Sequence, residues 1–167
     1  MNELSVLPTN KFFTKLGIDP ASDTMKLINR HWGRLLQNKK IEFFVGMKEV
    51  LVELKNNDYF LAIVTSRTKE ELEELESLME IIDLFDIIVT ADVVNKPKPD
   101  PESINVIVEE KQLNREETIY IGDSKSDLQA AKAANVKFGY AKWDVQADLT
   151  GYDYLLNSPQ AIYKLMK

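Results

Sequence analysis

The residues best suited to chemistry lie in the run GDSKSD at positions 122–127. This run follows Thr118–Ile121, four β-branched or aromatic residues that predict a short buried strand. Ligands of open α/β sheets bind at the carboxyl ends of strands, and Mg²⁺ prefers carboxylate oxygens. Asp123 and Asp127 are therefore candidate magnesium ligands. The alternative is structural, namely that side chains of this run only cap the following helix: Ser124, Ser126 or Asp127.

Two other strand ends carry groups suited to phosphate. The near-continuous apolar run YFLAIV predicts a strand buried on both faces, and Thr65 and Ser66 place hydroxyls at its carboxyl end. The segment NKPKPDP at 95–101 predicts a stiff extended loop, because each residue before a proline is kept out of the helical region. Such a loop would hold Lys96 and Lys98 in fixed positions. Taken alone, it would be a plain connector with solvated lysines.

These groups become informative as a set, because the carboxyl ends of parallel strands meet at one edge of the sheet. Hydroxyls can bind phosphate oxygens, a lysine can offset their charge, and carboxylates can hold Mg²⁺. The combination predicts a site that handles phosphoryl groups.

The elements that must position this site alternate between strand and helix from Tyr59 onward, which predicts a mostly parallel sheet with helices on both faces. Strands are predicted at Tyr59–Val64, Asp86–Thr90, Thr118–Ile121, Val136–Tyr140 and Tyr154–Leu156. Helices are predicted at 22–38, from Met47 to about Leu54, and at Thr68–Met79, Glu102–Lys111, Leu128–Ala134 and Pro159–Met166.

Composition narrows the class of protein. The 167 residues suit one domain, and 44% hydrophobic with 29% charged residues is typical of a soluble globular protein. A net charge of −6 gives no support to binding of nucleic acid or of an anionic membrane. The sequence has no cysteine, no signal-peptide pattern at its start and no apolar run of membrane-spanning length, so a cytoplasmic protein is expected. The single histidine, His31, is expected to be a helix-surface or packing residue.

The motifs resemble those of the haloacid dehalogenase (HAD) superfamily of phosphohydrolases, especially its small bacterial phosphoglycolate-phosphatase-like members. The resemblance covers roughly Val45 to Lys167. It rests on VTSR at 64–67, KPKPDP at 96–101, and IGDSKSD at 121–127 with the helix that follows. The Gly-Asp turn with its helix is the most specific of the three.

The resemblance implies a role for each matching residue. Thr65, with Ser66, would bind the transferring phosphoryl group, and Lys96 would neutralise it and the neighbouring carboxylate. Asp123 would ligate Mg²⁺ directly, and Asp127 would support the ion or its waters. The residues that would organise the turn are Gly122 and Ser124.

One family feature is missing from the sequence. Members of the superfamily open with a strand that ends in Asp-x-Asp, whose first carboxylate attacks phosphorus, and no Asp-x-Asp occurs in this chain. Either the sequence is a truncated version of a longer enzyme, or residues 3–10 are a degenerate first strand and the chain is a pseudo-phosphatase. We expect truncation, because LSVL at 4–7 is a poor central strand and residues 10–45 look like the last part of a helical cap.

The missing strand has a structural consequence. In this superfamily it lies between the strand before VTSR and the strand before GDS, so its loss would leave two half-sheets with unpaired edges. Residues 3–7, or a second copy of the chain in a homodimer, are predicted to fill the gap. Direct pairing of the two flanking strands would contradict this topology.

The expected fold is therefore α/β, a three-layer Rossmann-like, HAD-like core at 46–167 with a small, helical, cap-like segment at 1–45. The expected function is that of an Mg²⁺-dependent phosphatase of a small phosphorylated metabolite, inactive as written because the nucleophile is absent. The alternative is a non-catalytic module that binds phosphate or a metabolite. Neither reading identifies the substrate.

Overall fold

The computed structural model describes residues 19, 22–24, 27, 43–75, 78, 80–143 and 148–166. The α-helices in chain order are α1 Met47–Asn56, α2 Lys69–Glu73, α3 Glu102–Glu110 and α4 Lys125–Ala133. The strands are β1 Ala62–Val64, β2 Ile87–Val89, β3 Ile119–Gly122, β4 Lys137–Ala141 and β5 Tyr154–Leu156. The 3₁₀ helices within the described residues are Ile82–Leu84, Arg115–Glu117 and Pro159–Leu165.

The strands form two separate parallel half-sheets. In the first, β1 pairs with β2 in a register that places Ile63 opposite Ile88. In the second, the order is β3-β4-β5, with Ile121 opposite Gly139. Strands β1 and β3 are not hydrogen-bonded to each other, so the pairing that would have contradicted the predicted topology does not occur between these strands. The predicted α/β fold with parallel strands is confirmed.

Shared helices hold the two half-sheets together. On one face, Val50 and Leu54 of α1 pack in a cluster that includes Leu61, just before β1, and Ile121 of β3. On the other face, α3 packs on β1 and β2, while its residue Ile104 belongs to the cluster around α4 and β4. Both half-sheets therefore share a helix on each face.

In a continuous sheet the central strands are the most buried. The exposure of the strands in this structure does not follow that order. Residues of β3 are only partly buried, whereas Phe138 and Tyr140 of the neighbouring β4 are 0% and 1% exposed. In β1, Ala62 is exposed, although Val89 of β2 is 2% exposed. Strands β1 and β3, which the resemblance places on either side of the missing strand, are thus less buried than their paired neighbours β2 and β4.

Local contacts explain where several elements begin and end. Helix α1 begins after Gly46, whose φ of 84° favours glycine, and an added Cβ there would meet Gln160 at 1.7 Å. Strand β1 is shorter than predicted because the Leu61 amide donates to the Asp86 side chain at 2.9 Å rather than to a neighbouring strand. The C-terminal segment is a 3₁₀ helix over Pro159–Leu165, not the predicted α-helix.

Three of the predictions concern segments that the structure describes in small part or not at all, so they stay predictions. The cap-like segment at 1–45, the helix at 22–38 with His31, and the strand at 3–7 lie almost wholly outside the described residues. None of the helices that the structure does describe has the length and apolar character needed to cross a bilayer.

Candidate functional site

The turn after β3 is organised as a capping box. Ser124 is the N-cap of α4, and its hydroxyl accepts a hydrogen bond from the Asp127 amide at 3.1 Å. The Asp127 carboxylate accepts in return from the Ser124 amide, also at 3.1 Å. This reciprocal arrangement satisfies two backbone donors at the helix start, so Ser124 and Asp127 do cap α4. The helix begins at Lys125, three residues earlier than predicted. The polar residues Lys125 to Asp127 form its first turn, because Ser124 acts as the N-cap.

Both oxygens of the buried Asp127 carboxylate are engaged. Its Oδ2 accepts from the Ser124 hydroxyl at 2.5 Å as well as from the amide, and its Oδ1 accepts from Lys98 Nζ at 2.7 Å. The Tyr120 hydroxyl also donates to Oδ1, at 3.0 Å. A carboxylate that accepts four hydrogen bonds has little capacity left for a metal ion, so its support of the site is indirect.

Lys98 and Asp127 form an ion pair that is largely shielded from solvent, with side chains 14% and 7% exposed. Burial acts to raise the pKa of the Asp127 carboxyl, but the Lys98 ammonium and the hydrogen bonds from Ser124 outweigh it and hold that pKa below its usual value. Burial, followed by the negative charges of Asp127 and then Asp123, raises the pKa of the Tyr120 hydroxyl. Tyr120 is therefore a neutral hydrogen-bonding group at physiological pH.

The lysine that reaches this group is Lys98, not Lys96. The sequence contains two overlapping K-P-x-P patterns, 96–99 and 98–101, and the family resemblance assigns the site role to Lys96 of the first. Lys96 is exposed and lines an open surface depression of about 490 Å³ together with Asn95 and prolines of the loop. Because the two K-P-x-P patterns overlap, the local sequence gives no reason to prefer either lysine. Only the three-dimensional fold determines which of them reaches Asp127.

The loop that carries both lysines is fixed by its own carboxylates. Glu102 accepts from the backbone amides of Asn95 and Lys96 at 2.9 and 2.8 Å, and hydrogen bonds of this kind hold the pKa of its carboxyl below the usual value. The Asp100 side chain accepts from the Glu102 amide at 3.0 Å. The loop after β2 is thus held in a defined shape, from which Lys98 extends to the turn after β3.

Gly122 permits the close approach of Asp127. A Cβ at position 122 would lie 2.6 Å from the Cβ and 2.8 Å from the Cγ of Asp127, so any larger residue must displace the carboxylate. The predicted role of Gly122 in organising the turn therefore has a direct steric basis.

Thr65 and Ser66 follow β1, in the other half-sheet. The Thr65 hydroxyl accepts from the Arg67 amide at 3.1 Å, and the Thr65 amide donates to the Val89 carbonyl at 3.0 Å. Ser66 is exposed. Within the part of the chain that the structure describes, no hydrogen bond joins either residue to Lys98 or Asp127.

Asp123 is exposed at the carboxyl end of β3 and directly precedes Ser124, whose amide and hydroxyl donate to the Asp127 carboxylate. No cluster of three or more acidic or histidine side chains able to hold a metal occurs among the described residues. Mg²⁺ is commonly held by one or two protein carboxylates, with water and substrate phosphate completing its shell. Asp123 fits that kind of open site, and it does not fit a closed protein cage.

Sequence comparison gives the family. Residues 1–141 match the family model of the haloacid dehalogenase-like hydrolases. The chain is 35% identical over 138 residues to pyrophosphatase PpaX of Bacillus velezensis, an alignment that covers 80% of this chain and 64% of that protein. It is also 31% identical over 97 residues to phosphoglycolate phosphatase of Vibrio cholerae, covering 58% of this chain and 43% of that protein. The chain thus spans less than two thirds of these relatives.

Solved structures agree in fold. A HAD-superfamily hydrolase of Geobacter sulfurreducens aligns with a TM-score of 0.66 and 29% identity, covering 74% of this chain and 61% of that one. CbbY of Rhodobacter sphaeroides, solved in complex with phosphate, aligns with a TM-score of 0.72 over 87% of this chain and 68% of its own, and at 21% identity it supports the fold alone. The chain belongs to the haloacid dehalogenase-like hydrolase family.

Proposed function

We propose that this chain forms the phosphoryl-binding part of an Mg²⁺-dependent phosphohydrolase that acts on a small phosphorylated metabolite. The observation that carries the proposal is the buried pair of Lys98 and Asp127, which joins the loop after β2 to the turn after β3 and lies near the exposed Asp123. Together with Asp123, the pair would provide a fixed cation and an exposed carboxylate at the carboxyl edge of the sheet, where α/β proteins bind their ligands.

Each group has a distinct task in this proposal. Asp123 would hold Mg²⁺, which when bound would polarise a phosphoryl oxygen and offset its charge. Lys98 contributes a second positive charge beside the phosphoryl group. Asp127 keeps Lys98 in place and closes the cap of α4. Thr65 and Ser66 are proposed to donate hydroxyl hydrogen bonds to phosphate oxygens from the end of β1.

Covalent turnover needs a nucleophile that this sequence does not offer in Asp-x-Asp form. Loss of a covalent nucleophile removes the chemical route, whereas loss of a positioning group only slows it. We therefore expect the chain to bind phosphate in the presence of Mg²⁺ and to hydrolyse little or no phosphate ester.

The second candidate is a non-catalytic module that binds a phosphorylated metabolite as a sensor or a partner surface. The absence of Asp-x-Asp favours it as much as it favours an inactive enzyme part. The two candidates differ in affinity, because a sensor should bind a phosphorylated metabolite at micromolar concentration, while an incomplete catalytic site should bind weakly.

Calorimetric titration of phosphate with and without MgCl₂, followed by an assay with p-nitrophenyl phosphate, tests the proposal. We expect Mg²⁺-dependent phosphate binding that D123N abolishes and that D148N leaves intact, because Asp148 is an exposed aspartate whose partner is Lys142 rather than Lys98. Pyrophosphate and phosphoglycolate are suitable further ligands, since relatives carry names for those activities. Absence of phosphate binding with Mg²⁺ would overturn the proposal. Robust hydrolysis of p-nitrophenyl phosphate that D123N abolishes would overturn the expectation that the chain is inactive.

Two further expectations belong to this proposal. We propose that the chain works in the cytoplasm, without nucleic acid or membrane partners, as its net charge of −6 suggests. We also propose that a homodimer forms if a second copy supplies the strand between β1 and β3, which the two separate half-sheets support.

A further inference from the structure

Tyr120 contacts both members of the buried ion pair. Its hydroxyl lies 3.1 Å from Lys98 Nζ and 3.0 Å from Asp127 Oδ1. Because an ammonium can only donate, the hydroxyl accepts from Lys98 and donates its own proton to Asp127. The sequence identifies Tyr120 only as part of a buried strand. Its polar contacts with Lys98 and Asp127 become visible only in the fold.

The ring of Tyr120 is itself held by the core. It stacks on Phe138 of β4, with ring centroids 6.3 Å apart and an interplanar angle of 27°. Phe138 is 0% exposed, and Lys98 Nζ lies 5.8 Å from the centre of the Tyr120 ring. The hydroxyl is therefore presented from a rigid platform, unlike the flexible lysine that it contacts.

Counting donors shows what this contact does to Lys98. A lysine ammonium has three N–H donors and no acceptor. One donor goes to Asp127 and a second to Tyr120, which leaves a single N–H. Since the nitrogen is tetrahedral, two fixed bonds also fix the direction of the third. With Asp127 as its only partner, Lys98 could keep that hydrogen bond while its Nζ and side chain swing about Asp127 Oδ1, and the bond to Tyr120 removes this freedom.

We propose that Tyr120 is a positioning residue that orients the remaining N–H of Lys98 toward a bound phosphoryl oxygen. This inference rests on the proposed function, because it assigns the third donor to phosphate. It predicts that removal of the hydroxyl lowers phosphate affinity while the charge of Lys98 stays in place.

The test is Y120F, with Y152F as the matched control, because Tyr152 is a partly buried tyrosine of the same core cluster and contacts the ring of Tyr140 rather than Lys98. Phosphate titration in MgCl₂ should show about a fivefold to tenfold weaker Kd for Y120F, the net size of one ordinary hydrogen bond. Y152F should bind as the wild type does. Mg²⁺ affinity, measured with the metal alone, should be unchanged in both variants.

A double-mutant cycle separates positioning from general structural damage. In a K98M background, which has no ammonium to orient, Y120F should weaken phosphate binding no further. An equal effect of Y120F in both backgrounds, or equal losses of Mg²⁺ and phosphate affinity, would overturn the inference. In the wild-type chain the ¹³Cζ resonance of Tyr120 should shift on phosphate addition and that of Tyr152 should not, which keeps the test independent of how Y120F folds.

The outcomes also separate this inference from the proposed function. A wild-type chain that binds no phosphate with Mg²⁺ contradicts the proposed function itself. A wild-type chain that binds phosphate, with Y120F binding equally well, contradicts only the role of Tyr120.

Discussion

Asp127 performs two tasks with one carboxylate, since it closes the cap of α4 and pairs with Lys98. The sequence offered Asp127 as a Mg²⁺ ligand or, with Ser124 and Ser126, as one of three candidate caps of the following helix. It could not predict the pairing with Lys98, which is set by the course of the loop after β2. The family resemblance assigned the lysine role to Lys96, whereas the fold pairs Lys98 with Asp127, so tertiary structure decides which of the two lysines reaches this carboxylate.

Replacing Lys98 should destabilise the fold far more than replacing Lys96. K98M leaves the buried carboxylate of Asp127 without its cation, a change that costs about 3 kcal/mol of unfolding free energy. K96M, on the same loop but exposed, should change it by about 0.5 kcal/mol or less. Urea denaturation of the two variants measures the difference, and equal losses would show that the pair does not form as described.

Side-chain capping is the local interaction that most clearly determines where the helices begin. Two helices, α2 and α4, begin with a capping box, built by Thr68 with Glu71 and by Ser124 with Asp127. The sequence predicts most strands and helices to within a few residues, because apolar periodicity and turn residues are local signals. It misses the short 3₁₀ helices and the late start of β1, where contacts distant in sequence, such as that of Asp86 with Leu61, decide the geometry.

The two caps provide a matched pair of variants. T68A should cost about 1 kcal/mol, the usual value of a lost N-cap. S124A should cost about 2 to 3 kcal/mol, because it also removes a hydrogen bond to the buried Asp127 carboxylate. Chemical denaturation gives both values. Similar losses for the two variants would mean that Ser124 acts only as a cap.

Asp86 should make stability depend on pH in the acid range. Its carboxylate accepts from Lys55 Nζ at 2.6 Å and from the Leu61 amide at 2.9 Å, and these bonds hold the pKa of the Asp86 carboxyl below 3.8. Its stabilisation is therefore complete above the unfolded-state pKa near 3.8 and is lost as pH falls through the folded-state value.

Thermal unfolding of D86N and of the wild type from pH 7 to pH 2 measures this contribution. We expect D86N to be less stable at pH 7, with the difference narrowing as the pH falls below 4. D83N, which changes an exposed aspartate on the preceding 3₁₀ helix, serves as the control. A difference between D86N and the wild type that is constant across the range would rule out the titration of Asp86 as its source.

The whole molecule is organised around a break in its sheet. Shared packing on α1 and α3 holds two parallel half-sheets together, but β1 and β3 are not paired with each other. The family resemblance predicted this arrangement, because it places a strand between these two. Which segment occupies that position cannot be read from local patterns, since an unpaired edge accepts any extended chain of suitable apolar character.

Residues 3–7 or a second copy of the chain are predicted to fill this position. Light scattering should find either a dimer, which favours the second copy, or a monomer in which deletion of residues 1–8 speeds amide hydrogen exchange in β1 and β3. A monomer whose exchange in both strands is unaffected by that deletion would contradict both assignments.

The central claim is that the carboxyl edge of the sheet, between Asp123 and Lys98, binds a metal ion and a phosphoryl group together. The most direct measurement is a crystal structure of the chain with MnCl₂ and sodium tungstate, whose metals are located by anomalous scattering. We predict manganese bound to Asp123 and tungstate in contact with Lys98 and Thr65. Both ions bound elsewhere, with this edge of the sheet empty at the same concentrations, would contradict the account.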